Sequence, residues 1–116
     1  MPNIVTTKIL TGHPSQVIDK LKKYISRTVN NDRVQCFYIG RTIDLERRAA
    51  QHERDKGLFD KMIALYITSS TRYIVQVEQD LIGFYYYHEK SINITNGGPG
   101  MLNQDYHQYI YIITWK

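Results

Sequence analysis

With 116 residues, 42% of them apolar and 22% charged, the chain is sized for one small globular domain with a modest core. Its single cysteine, Cys36, excludes an intrachain disulfide and a cysteine-based zinc site. A net charge of +4, with a pI near 9.2, suits a polyanionic partner, and no run approaches the roughly 20 apolar residues of a membrane helix.

Met1 to Leu10 carries no signal-peptide pattern, so an intracellular setting, cytoplasmic or nuclear, is expected. Asn3 to Leu10 is rich in β-branched residues and predicts a first strand. Gly12, His13 and Pro14 break it, and Pro14 or Ser15 opens a helix over 15–27 with apolar residues at Val17, Ile18, Leu21, Tyr24 and Ile25. Asn30-Asn31-Asp32 is a turn. Val34 to Ile39 is the second strand, and Gly40 is expected to end it. Thr42 or Asp44 then caps a helix to about Lys56, which Gly57 stops.

Ile63 to Thr68 predicts a third strand, and Thr71 to Tyr87 a third helix. The glycine-rich Asn93 to Gly100 is a loop. His107 to Trp115 is the last strand, with Tyr109, Tyr111, Ile113 and Trp115 on one face. The alternation of strands and helices predicts a single-domain α/β sandwich over 1–116, its central sheet of three or four strands flanked by helices.

Three features could carry chemistry. Tyr38 sits near the end of a strand, while Arg48 and His52 lie four residues apart and so stack on one helix face. Arginine offers a donor fork to phosphate oxygens, and tyrosine or histidine can move a proton. The bland alternative is a core tyrosine with a surface arginine and histidine. Glu78 is the second feature. It falls inside the apolar stripe of Ile74, Val77, Leu81 and Ile82, where a carboxylate must be paired with a cation or bind a metal. An ion pair with an arginine such as Arg48 competes with the metal reading. The third is the Asn93–Gly100 loop, which is either a plain turn or a close-approach backbone for a ligand. The four scattered histidines show no metal-ligand spacing.

These residues together resemble the GIY-YIG endonuclease superfamily. Tyr38-Ile39-Gly40 matches its second tripeptide; Arg48, His52 and Glu78 follow in the family's order and spacing, and Arg41 takes the basic position after the tripeptide. Asn96, or less well Asn93, sits where the family has a late asparagine. The resemblance covers about residues 34–100. It implies a GIY-YIG-like fold and cleavage of phosphodiester bonds in nucleic acid, DNA ahead of RNA. It also implies one Mg²⁺ or Mn²⁺ held by Glu78, catalysis by Tyr38, Arg48, His52 and Glu78, and phosphate contacts from Arg41, Arg47 and Asn96. One element departs from the pattern. No Gly-Ile-Tyr lies upstream of Tyr38; Tyr24 is in a predicted helix, and the other option for a partner strand, Asn3–Leu10, has no tyrosine.

Two other readings compete. One is a catalytically inactive binding module on the same fold, for nucleic acid, nucleotide or protein. The other is an interaction protein, potentially oligomeric, that uses its aromatic surface at Tyr85-Tyr86-Tyr87 and along Tyr109, Tyr111 and Trp115.

Overall fold

A computed structural model of the chain describes residues 3–93 and 107–116. Seven elements follow in order: β1 (Ile4–Val5), α1 (Pro14–Val29), β2 (Cys36–Thr42), α2 (Leu45–Lys56), β3 (Lys61–Thr68), α3 (Thr71–Phe84) and β4 (Gln108–Trp115). The sheet order is β1-β3-β4-β2, with β1 parallel to β3 and the other pairs antiparallel. The expected small α/β sandwich is what forms, with four strands in a sheet for which three or four were expected. Among the described residues, no helix is long and apolar enough to cross a membrane.

β4 lies inside the sheet because Tyr109 to Trp115 is apolar on both faces, the pattern of a strand covered on two sides. Ile110 and Ile112 pack beneath α1 and α3, with Phe37, Ile39, Leu65 and Tyr66. Tyr111 and Ile113 face α2, with Met62, Ala64, Leu45 and Ala49. α1 buries Val17, Leu21, Ile25 and Val29, one stripe at helical spacing. His13 caps it and Pro14 opens it, where the missing N–H costs nothing.

Several boundaries differ from expectation by a residue or two, and three differences bear on the fold. β1 is only two residues long. Val5 pairs with Ile63 and Leu10 bridges to Tyr66, so five steps on the edge chain must match three on β3, and polar, exposed Thr6 to Lys8 loops out. α3 ends at Phe84 because Tyr85 turns inward. Its hydroxyl donates to the Lys22 carbonyl at 2.7 Å and takes a bond from Ser26 Oγ at 2.6 Å, tying α3 to α1. β2 does not end at Gly40 but runs on to Thr42.

The outer edge of β2 is covered. The Phe37 amide donates to the Lys90 carbonyl and the Ile92 amide donates to the Phe37 carbonyl. Asn93 completes the row with its side chain: Oδ1 accepts from the Ile39 amide at 2.9 Å, and Nδ2 donates to the Ile39 carbonyl at 2.8 Å. One side-chain amide thus stands in for a strand residue and satisfies both backbone groups.

Candidate active site

The site begins at the register of β2 against β4. Gly40 is opposite Tyr111, and Tyr38 is opposite Ile113, so Tyr38, Gly40 and Tyr111 share the face toward α2. The Tyr111 phenol lies directly over Gly40. A Cβ there would sit 2.5 Å from the Tyr111 hydroxyl oxygen and 2.8 Å from Cε1 of Tyr38. Gly40 is therefore a seat for a buried ring, the use of glycine that lets a strand be approached closely. The partner strand of β2 is thus the C-terminal β4, which carries a tyrosine; Asn3–Leu10, one of the two options the sequence offered, pairs through β1 with β3 instead.

α2 delivers the polar groups to that phenol. The Asp44 side chain caps the helix by accepting from the Arg47 amide at 3.1 Å, while Thr42 Oγ1 accepts the Asp44 amide at 3.0 Å. Fully buried Ala49 puts little bulk between helix and sheet. Arg48 and His52 on either side of Ala49 then reach one oxygen. Arg48 Nε donates to the Tyr111 hydroxyl oxygen at 3.1 Å, and His52 Nε2 lies 2.8 Å from it. Arg48 Nη1 also donates to Gln51 Oε1 at 2.7 Å, so its guanidinium is held on two sides.

Burial, followed by the charges of Arg48 and Lys56, pushes the His52 pKa down to about 4. At neutral pH the ring is uncharged and Nε2 can accept the phenolic proton while Arg48 donates to the same oxygen. Burial pushes the Tyr111 pKa up, against the bond from Arg48, so its resting form is the phenol. Tyr38 completes the group, its ring 4.9 Å from that of His52 and 6.3 Å from that of Tyr111 between centroids.

Arg41 follows Gly40 in the strand and so points to the opposite face. There its Nε lies 3.5 Å from Glu78 Oε1, with the two side chains only 9% and 5% exposed. Burial raises the Glu78 pKa, and Arg41 and then Arg48 partly oppose this. The carboxylate was expected to be paired or metal-bound; it is paired, with Arg41 and not Arg48. A cleft of about 240 Å³ opens at this end of the sheet, lined by Arg41, Arg47, Arg48, Gln51, Asp44 and Gln108.

Among the described residues no three histidine, cysteine, aspartate or glutamate side chains gather as a metal cage. A magnesium ion held through one carboxylate, water and substrate oxygens needs no cage, and Glu78, reached through its cleft-lining partner Arg41, is the carboxylate that could serve that mode.

Of the residues singled out in the sequence, Tyr38, Arg48 and His52 come together on one face of the sheet, Arg41 and Glu78 meet on the other, and Arg41, Arg47 and Arg48 line one cleft at the sheet end. Asn96 lies outside the described residues, and Asn93 serves the β2 edge. Sequence reasoning missed Tyr111 as a site residue. The available signal was Ile110-Tyr111 on a strand, which is two-thirds of the sought tripeptide, but downstream of Tyr38 and not upstream. Compared with protein-family models, curated proteins and solved structures, the chain matches none.

Proposed function

We propose that the protein is a metal-dependent endonuclease of GIY-YIG type, cleaving phosphodiester bonds in nucleic acid. The observation that carries this reading is the Tyr111 phenol, seated over Gly40 of the Tyr-Ile-Gly strand and bonded by both Arg48 and His52. The element missing upstream of Tyr38 has a counterpart in β4, antiparallel to the same strand. A rotated chain order, with a tyrosine-bearing strand still paired to the Tyr-Ile-Gly strand, would reconcile this arrangement with the resemblance.

In this mechanism, Tyr111 takes a proton from the attacking water while its own proton passes to neutral His52. The new oxygen–phosphorus bond forms as the bond to the leaving oxygen breaks. Arg48, oriented by Gln51 and Tyr111, faces the charge that grows on the phosphate, and Arg41 and Arg47 hold the flanking oxygens. Glu78 is the carboxylate that would hold the divalent ion, which when bound supplies Lewis-acid polarisation of the phosphate. The test is incubation of purified protein with supercoiled DNA and with RNA, with Mg²⁺ or Mn²⁺. Metal-dependent nicking abolished by Glu78→Ala is expected; nicking that survives Glu78→Ala would remove the metal assignment.

The second reading is a phosphate-binding module without turnover. It draws on Glu78 being held by Arg41, which a metal would have to displace or share. Tight retention of intact nucleic acid in Mg²⁺, with no cleavage, is its signature.

A further inference from the structure

Lys56 closes the last turn of α2, and the mechanism above does not use it. Its Nζ lies 4.3 Å from the centroid of the Tyr38 ring, in cation–π contact. Arg48, His52 and Lys56 are spaced four and eight residues apart, so they form one line along the helix. Eight residues of helix advance about 12 Å, the axial length of three to four phosphates on one strand of B-form DNA. Tyr38 lies against the middle of the line, through His52, and against its end, through Lys56.

The charges on this line are unbalanced. Among the described residues, no carboxylate is within ion-pair distance of Arg47, Arg48 or Lys56, whereas nearby Arg41 has Glu78. Asp55 adjoins Lys56 and favours its charge, but burial and then repulsion from Arg48 work against it and lower its pKa. The fold therefore keeps two cations close enough to repel along one face, with an aromatic ring between them. A polyanion laid along that face would relieve the repulsion.

We infer that Lys56 is a second backbone-phosphate anchor, and that a nucleic-acid strand runs along α2 from the Arg41–Arg47–Arg48 cleft across Tyr38 to Lys56. The inference rests on the phosphodiester reading for its ligand. It adds a direction for the strand and a contact remote from the bond being cut. The bland alternative is that Lys56 serves only the carboxyl end of α2, where a cation is favourable, and shields the Tyr38 ring.

Lys56→Met separates the two, because it keeps an unbranched apolar stem for Tyr38 while removing the charge. Binding of fluorescein-labelled single-stranded and duplex DNA of about 20 nucleotides is measured by anisotropy in EDTA, from about 50 to 300 mM salt. Lys56→Met is expected to weaken binding roughly five- to tenfold at 0.1 M salt and to reduce the salt slope by about one, with Lys56→Arg restoring both. An unchanged affinity and slope in Lys56→Met, with wild-type protein that binds and cuts DNA, would overturn the anchor and leave the nuclease reading standing. A reduced slope in a protein that never cuts would support the anchor and sink the nuclease reading. Wild-type protein that binds neither DNA overturns the inference outright.

Discussion

His52 and Glu78 are buried and titratable, and the same cause, burial, moves their pKa values in opposite directions. The folded pKa of His52, about 4, lies below its ordinary 6.5, so proton uptake favours the unfolded chain. Stability from this residue is intact above about pH 6.5 and falls as the pH drops toward 4, by roughly 3 kcal/mol in all. Urea unfolding at pH 7 and pH 4.5 checks this: His52→Gln should show a smaller loss on acidification than wild type. Glu78 has a raised folded pKa, so its ionisation burdens the fold as pH rises through the window above the ordinary carboxylate value. Arg41 offsets that burden. Arg41→Met should cost about 3 kcal/mol near neutral pH and recover part of it on mild acidification, whereas Arg41→Met with Glu78→Leu should come within about 1 kcal/mol of wild type. Gly40 is the third residue with a specific demand. Gly40→Ala places a methyl 2.5 Å from the Tyr111 oxygen. The ring must move, so loss of cleavage by at least about tenfold is expected even where circular dichroism and thermal melting show a folded protein.

At the scale of elements, the helices and the caps of α2 were legible because their signals are local, whereas the His13 cap of α1 was not. Asp44 before Leu45 and Gly57 after Lys56 mark α2 with side-chain and backbone chemistry that the sequence displays directly. The buried position of Glu78 was legible for the same reason, since the stripe from Ile74 to Ile82 encloses it. Gly40 was misread as a strand end. A glycine that starts a turn and a glycine that admits a ring look alike until the strand opposite is known. The face of Tyr111 is legible from the strand period, but its role is not, because the pairing of β4 with β2 is non-local. Asn93 shows the same limit: nothing near it in sequence announces that its amide will pair with Ile39, 54 residues away. Asn93→Ala leaves the Ile39 amide and carbonyl without these bonds, so a loss of about 1–3 kcal/mol is expected in chemical denaturation.

For the whole molecule, the sheet order β1-β3-β4-β2 matters most. The last strand of the chain occupies an inner position and carries the phenol on which Arg48 and His52 converge. Fold and site thus depend on the same late segment. Lys116 reaches back to Asp60 at 3.5 Å and the Trp115 carbonyl accepts from the Gln35 amide, so the residues just before both neighbouring strands hold the end of β4. The exposed aromatics lie elsewhere. Phe84, Tyr86 and Tyr87 are at the carboxyl end of α3, whereas Tyr111 is buried in the site and not on an open interaction face. The proposed nuclease chemistry therefore depends on one hydroxyl group, that of Tyr111. The direct measurement is metal-dependent nicking by Tyr111→Phe beside wild type and Tyr38→Phe, with thermal melting to verify folding. A loss of at least about 100-fold in rate for Tyr111→Phe, in a folded protein, is the predicted result. Tyr111→Phe that nicks at the wild-type rate would contradict the account.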